Sequence, residues 1–281
     1  MILIADSGST KTDWCIIGGG KKISVSTQGI TPVHQQPEDI ITVLTKELLP
    51  QTNSIQSGLR TFAIDTLFFY GSGCRPDLIP SFSATLQSFF PETRVEVSSD
   101  LLAAARALLG HHEGIAAILG TGANSCLYDG EKIIGNTPAL GYILGDEGSG
   151  AVLGKRFINA LFKRQLPQSL IHDMNLDINE IICRVYRQPL ANRYLASFAP
   201  LIKQHITTPG VRELVIQNFV DFFQKNIAPY NRPDLPINVV GSIAYYLQSE
   251  FRQAAQIAGY QIGIIMRTPM EGLISYHTNN G

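Results

Sequence analysis

The sequence has 281 residues, 44% hydrophobic and 16% charged, with 22 basic against 23 acidic side chains and a formal net charge of −1. A chain of this length can bury a substantial core and hold two modest domains; its apolar content argues against disorder, and its balanced charge against nucleic-acid or anionic-membrane partners. No apolar run approaches the ~18 residues of a membrane span, Met1-Ile2-Leu3 leads directly into a predicted strand with no basic signal region, and Cys15, Cys74, Cys126 and Cys183 are too scattered for a zinc site or disulfide scaffold. The expectation is a cytoplasmic enzyme, with a homodimer allowed.

The first predicted strand, Ile2–Ala5, runs into Asp6-Ser7-Gly8-Ser9-Thr10-Lys11-Thr12, and Trp14–Ile17 returns before Gly18-Gly19-Gly20. Lys21–Thr27 reads as a third strand leading to Gly29-Ile30-Thr31-Pro32. Apolar residues at Ile40, Ile41, Val43, Leu44, Leu48 and Leu49 give Glu38–Leu49 a helical period, with Pro50 as its stop. Ile64–Tyr70 is nearly all apolar, as expected of a central strand covered on both faces, and Gly71-Ser72-Gly73 ends it. A helix over Pro80–Phe90 and a strand over Arg94–Val97 follow. Ser98-Ser99-Asp100 then opens an Ala/Leu-rich helix, Leu101–Leu109. An acid in that place has two readings: an ordinary helix N-cap, or a carboxylate turned toward a ligand.

The second half begins with a buried-strand run, Ile115–Leu119, that stops at Gly120-Thr121-Gly122. Two glycines flanking a hydroxyl residue let the backbone turn sharply and present N–H groups, which suits a phosphate. Cys126–Tyr128 and Asp129-Gly130 read as a returning strand and a tight turn. Gly145-Asp146-Glu147-Gly148-Ser149-Gly150 sets two acids among glycines ahead of a helix, with Glu147 read as the helix-entry residue. From 149 to 228 the pattern is helical: Ala151–Phe162, Leu176–Tyr186, Ala191–His205 and Arg212–Asn226, with breaks at Pro167, Pro189, Pro209 and Pro229. His172 and His205 have no metal-ligand partner at helical spacing, and Phe219, Phe222 and Phe223 read as core. Ile237–Val240 is a strand, Gly241-Ser242 opens a helix to about Ala258, Ile262–Met266 is the final strand, and Pro269–His277 a closing helix.

Strand, polar Gly/Ser/Thr turn, strand thus occurs twice, which predicts two related halves. Asp6–Thr12, Gly120–Asn124 and Val239-Val240-Gly241-Ser242 resemble the phosphate-1, phosphate-2 and adenosine motifs of the actin/hexokinase/Hsp70 ATPase superfamily. Within it the chain resembles the BadF/BadG-type ATPases, a group that includes N-acetylglucosamine kinase, over nearly its whole length. The resemblance implies an α/β fold of two RNase H-like (actin-like ATPase) domains with a central cleft and a helical insertion in the second. The implied domains are 1–112, completed by the C-terminal helix 268–281, and 113–267, with the helical region at 149–228. It also implies ATP and Mg²⁺ as cofactors and the C6 hydroxyl of an amino sugar as acceptor, N-acetylglucosamine first among glucosamine, N-acetylmannosamine and N-acetylmuramate.

Residue by residue, the resemblance assigns Asp100 as catalytic base and Asp6 to Mg²⁺, through water. Ser7, Gly8, Ser9, Thr10, Lys11, Gly120, Thr121 and Gly122 fall to the ATP phosphates, Gly241 and Ser242 to adenosine, and Thr31, Asn124 and Asp146 to the sugar. Two departures lie near the expected sugar pocket. The family often has Gly-x-Asn-Pro where this chain has Gly29-Ile30-Thr31-Pro32, and eukaryotic N-acetylglucosamine kinases have Gly-Trp where this chain has Ala139-Leu140. An activator ATPase of a radical dehydratase is the alternative, weakened because Cys126 has no second cysteine near it in sequence to share an iron–sulfur cluster. A nucleotide-dependent regulatory module is a third reading, which leaves Asp100 and the Gly-Asp-Glu-Gly-Ser segment without a task.

Overall fold

The computed structural model describes residues 1–8, 10–53 and 64–278. The chain divides into two compact units, 1–110 with 269–281, and 111–268. Unit 1 is built on strands β1 (Ile2–Ser7), β2 (Lys11–Gly18), β3 (Lys21–Gln28), β4 (Thr66–Gly71) and β5 (Arg94–Ser99), in the order β3-β2-β1-β4-β5. The hairpin strands β1, β2 and β3 are antiparallel, whereas β4 runs parallel to both β1 and β5. Alternation sends Leu3, Ala5, Trp14 and Phe69 into one core and Ile4 and Tyr70 into another, so both faces of the sheet are covered.

Helices of unit 1 follow the strands. Helix α1 (Pro37–Val43) continues through a π turn, Leu44–Leu48, into α2 (Leu49–Asn53). Pro50 therefore does not stop the helix as its sequence position suggests. The π turn has already shifted the hydrogen-bond pattern, with the Leu49 N–H donating to the Leu44 carbonyl, and Pro50 falls in the first turn of the next segment, where a missing N–H costs little. Helices α3 (Ile79–Phe89) and α4 (Asp100–Leu109) complete the run.

Unit 2 repeats the topology. Its strands β6 (Gly114–Leu119), β7 (Ala123–Tyr128), β8 (Ile133–Thr137), β9 (Ile237–Val240) and β10 (Ile262–Met266) lie in the order β10-β9-β6-β7-β8. Read from the third strand of the hairpin series, that is the same arrangement as in unit 1. Two duplicated five-stranded sheets with helices are the fold class expected from the sequence. Between β8 and β9 come α5 (Gly141–Leu144), α6 (Gly150–Phe162), α7 (Ser169–Asp173), α8 (Ile178–Tyr186), α9 (Ala191–Ala196), α10 (Ala199–Gln204) and α11 (Val211–Phe222). Where the sequence suggests one helix over Ala191–His205 there are two, because Pro200 lacks an N–H and takes the first turn of α10. The helix expected from Ser242 to Ala258 is likewise split, into α12 (Ser242–Tyr246) and α13 (Gln248–Ala258), at Leu247, which is buried in the core. Phe219, Phe222, Phe223 and Phe251 pack together at the centre of that core. The last helix, α14 (Met270–Thr278), belongs to unit 1, where Leu273 packs with Ile4, Tyr70, Ala103 and Ala107.

Candidate active site

In unit 1 the parallel strands β1, β4 and β5 end level, with Ser7 opposite Gly71 and Gly71 opposite Ser99. Ligands of open α/β sheets gather outside such carboxyl ends. Asp6 lies at this edge, and its carboxyl is pushed up to about 7, first by burial, then by the charges of Asp100 and Asp13, with Lys11 pulling the other way. Asp100 is the first residue of α4, one position beyond the cap. The extended backbone of Ser99 lets its hydroxyl accept from the Leu102 N–H at 3.2 Å, so the N-cap reading of Asp100 is overturned. Burial raises the Asp100 carboxyl as well, against the lowering pull of the Leu101 N–H and its own. Two half-buried acids thus share one strand edge and are partly desolvated, and Lys11 is already paired with Asp13 at 2.6 Å. Perturbed carboxyls at a strand edge are a signature of functional sites.

The remaining unit 1 candidates divide between frame and surface. Ser7 is fully buried, and its hydroxyl meets the Thr12 hydroxyl at 2.6 Å, donates to the Ile30 carbonyl at 2.8 Å and accepts from the Ile30 N–H. Its side chain is therefore committed to holding Gly29–Ile30 against the hairpin and is not a donor to phosphate. Gly8, Thr10 and Lys11 form the exposed tip, closed by the Gly8 N–H donating to the Lys11 carbonyl at 3.0 Å. Ser9 lies outside the described residues. Thr31 follows directly on the Ser7–Ile30 clasp, and its methyl lies 3.2 Å from where a Cβ on Gly73 would sit, just past the end of β4. Unit 1 so brings Asp6, Thr31 and Asp100 to the carboxyl edge of one sheet.

In unit 2 two motifs far apart in sequence are tied together. The Gly150 N–H donates to the Gly120 carbonyl at 2.9 Å, and the Ala151 N–H to the Thr121 carbonyl at 3.1 Å. Asp146 is nearly buried, takes the left-handed conformation at φ 55°, and accepts from the Ala123 N–H at 3.3 Å. One Asp146 oxygen lies 3.1 Å from where a Cβ on Gly122 would sit, so any larger residue there would push the acid away. Burial raises the Asp146 carboxyl, with Glu147 adding and the Ala123 N–H and Lys155 opposing. Asn124 uses its amide oxygen to accept from the Ser125 N–H and from Asn136, both at 2.9 Å, which leaves its NH₂ as the available donor. Gly241 follows β9 at φ 134°, and a Cβ there would come within 2.2 Å of the Leu119 carbonyl. Only glycine fits, and the absent side chain keeps the backbone next to Gly120 open.

Glu147 is not the helix-entry residue. Ser149 caps α6 by accepting from the Val152 N–H at 3.1 Å, while Glu147 pairs with Lys225 at 3.2 Å. Sequence reasoning also missed Lys155, which donates to the Tyr142 carbonyl at 2.7 Å and so fastens α6 to the segment that leads into Asp146. The signal for Ser149 was present, a serine directly ahead of a helix; nothing in the sequence points from Lys155 to Tyr142.

A solved structure of a candidate N-acetylglucosamine kinase from Porphyromonas gingivalis is 47% identical to this chain, covers 100% of it and 99% of itself, and superposes with a TM-score of 0.93. The chain belongs to the same family, the N-acetylglucosamine kinase-like BadF/BadG-type ATPases. A candidate N-acetylglucosamine kinase from Chromobacterium violaceum shares the family fold at 17% identity, with 98% and 99% coverage and a TM-score of 0.71. The activator of 2-hydroxyisocaproyl-CoA dehydratase from Clostridium difficile, solved with bound ADPNP, is 13% identical with 96% and 90% coverage and a TM-score of 0.50, a likeness of fold alone. No protein-family model matches the chain, and no curated protein does. Among the described residues no helix is long and apolar enough to cross a membrane.

Proposed function

We propose that the protein is an ATP-dependent sugar kinase that phosphorylates a hydroxyl, at C6, of an amino sugar, with N-acetylglucosamine as the first candidate. The observation that carries this reading is the Asp100 carboxylate, released from capping by Ser99 and half-buried near Asp6 at the edge of three parallel strands. A partly desolvated carboxylate with a raised pKa suits a group that must orient an alcohol and then accept its proton. Phosphoryl transfer asks for little more than charge neutralisation and alignment, and its proton leaves late, so Asp100 acts chiefly by holding the acceptor in line.

Gly8, Ser9, Thr10 and Lys11 on one hairpin and Gly120, Thr121 and Gly122 on the other are the proposed phosphate contacts, Ser7 shaping the first loop from beneath. Gly241 and Ser242 take the adenosine. Thr31, Asn124 and Asp146 take the sugar, for which a buried acid and an amide donor are suited to paired hydroxyls. Among the described residues no three His, Cys, Asp or Glu side chains converge as a metal site. Mg²⁺ needs none, since it keeps most of its water and is held with nucleotide phosphates by one or two carboxylates. Asp6 fits that use, because burial and two neighbouring acids leave its charge poorly compensated. When bound, the ion neutralises phosphate charge. The test is a coupled ADP-release screen over N-acetylglucosamine, glucosamine, N-acetylmannosamine, N-acetylmuramate and glucose; turnover with none of them refutes the reading.

A further inference from the structure

The two sheets share one topology, yet corresponding positions at their carboxyl edges carry opposite charge. In unit 1 the last parallel strand, β5, is followed by Asp100; in unit 2 its counterpart, β10, ends at Met266 and is followed by Arg267. Arg267 is exposed, and its guanidinium lies 5.8 Å from the centre of the Tyr246 ring. Lys203 lies 5.9 Å from the same ring and also donates to the Tyr246 carbonyl. Among the described residues neither cation has a carboxylate within 4.0 Å. Tyr245 and Tyr246 are 39% and 45% exposed and meet edge to face at 5.3 Å. The cluster is tied to the proposed adenosine turn, because the Gly241 N–H donates to the Met266 carbonyl at 2.9 Å and Tyr246 closes the short helix that begins at Ser242.

We propose that Arg267, held against Tyr246 and backed by Lys203, is the platform that receives the purine base of the nucleotide. The proposal rests on the ATP reading above and names the part of this chain that reads the base. Two uncompensated cations beside two half-exposed phenol rings form a surface that favours a flat, electron-rich ring. An exposed guanidinium within cation–π reach of an aromatic ring still offers a planar face for stacking. The glycine loops serve the phosphates through backbone N–H groups and cannot discriminate among bases, so that discrimination falls to side chains at the neighbouring strand end.

The experiment is calorimetric binding of ATP and CTP to wild type, Arg267→Ala and Arg267→Lys, with thermal melts to verify folding. Wild type should prefer ATP; Arg267→Ala should weaken ATP about tenfold, and CTP less, because a purine stacks over more area. Arg267→Lys keeps the charge but loses the plane and should behave like the alanine variant. Equal weakening of both nucleotides with recovery in Arg267→Lys would make Arg267 a simple counter-charge and overturn the platform. Unchanged binding in both variants would also overturn it. Failure of wild type to bind either nucleotide would remove the ATP reading itself, and the platform with it.

Discussion

Asp100→Asn separates catalysis from folding at the position where sequence left both readings open. Ser99 performs the capping, so an amide at the next residue leaves the start of α4 intact. Burial raises the Asp100 carboxyl above its ordinary 3.8. A carboxyl whose folded pKa lies above its unfolded one favours folding when protonated, and that contribution is lost as pH rises through the folded pKa. Above the ordinary carboxylate range the aspartate therefore costs stability that a neutral amide does not, and Asp100→Asn should melt at the same temperature as wild type or higher at pH 7.5. Turnover should move the other way. Loss of an orienting base lowers kcat by about 10²-fold or more, roughly 3 kcal/mol of transition-state stabilisation, with little change in KM. Asp6 supplies a second readout. Its pKa of about 7 owes most to burial and next to the Asp100 charge, so the variant should shift an Asp6-dependent acidic limb of kcat/KM to lower pH. Steady-state ADP release from pH 5.5 to 9, beside thermal melts, measures all three quantities. Near-normal turnover in a folded variant would refute the catalytic assignment, and activity lost in step with melting temperature would reduce Asp100 to a structural residue.

Other positions give sharper tests of individual parts. Asp146→Asn keeps an oxygen for the Ala123 N–H and tolerates the left-handed backbone, so kcat/KM for every sugar should fall about 5- to 150-fold while calorimetric ATP affinity holds. Thr31→Asn should change the ranking of kcat/KM among sugars toward N-acetylated ones; an unaltered ranking would move Thr31 out of the pocket. Gly241→Ala forces a Cβ to within 2.2 Å of the Leu119 carbonyl, and its melting temperature should collapse. His277 stacks on Phe68, bonds to the Tyr70 hydroxyl at 2.9 Å and is held down to about 4, first by burial and then by Arg106. Its folded pKa lies below the unfolded 6.5, so its share of stability is present above 6.5 and lost toward 4, by about 1 kcal/mol once solvent screening is allowed for. The melting curve of wild type should thus fall more between pH 6.5 and 4.5 than that of His277→Gln.

The duplicated fold was legible because each half announces itself with the same local chemistry, an apolar strand broken by a Gly/Ser/Thr turn. Gly120 and Gly241 could be placed at strand ends from apolar runs alone. What periodicity could not supply was the hydrogen-bond partner of each polar group. Ser7 reads like a phosphate donor in a Gly/Ser/Thr loop, yet its hydroxyl is used by Thr12 and Ile30, and Ile30 lies well along the chain. Asp100 and Ser99 are equally good caps by residue type, and the choice between them turns on one backbone dihedral. Pro50 looks like a terminator because a π turn, which moves the register of the N–H groups, leaves no mark in an apolar pattern.

Local rules are broken at several places, Arg164 and Leu190 among them with no part in the proposed site, and other breaches fall where the candidate chemistry does. Asp6 and Asp100 bring two half-buried acids, both with raised pKa, to one strand edge. In unit 2, Asp146 takes a conformation that costs a side-chain-bearing residue about 1 kcal/mol, and Gly241 leaves backbone bare against the end of β6. Such costs persist only where the surroundings over-determine them. Here the surroundings are closely packed: the Phe219–Phe223–Phe251 cluster under one sheet, and Trp14, Phe69 and Phe82 under the other. A residue kept for stability would be expected to gain stability from its native chemistry. Asp100 is expected to lose it, since the neutral amide should fold at least as well and work far less, and that inverse relation is what distinguishes a working carboxylate from a helix cap.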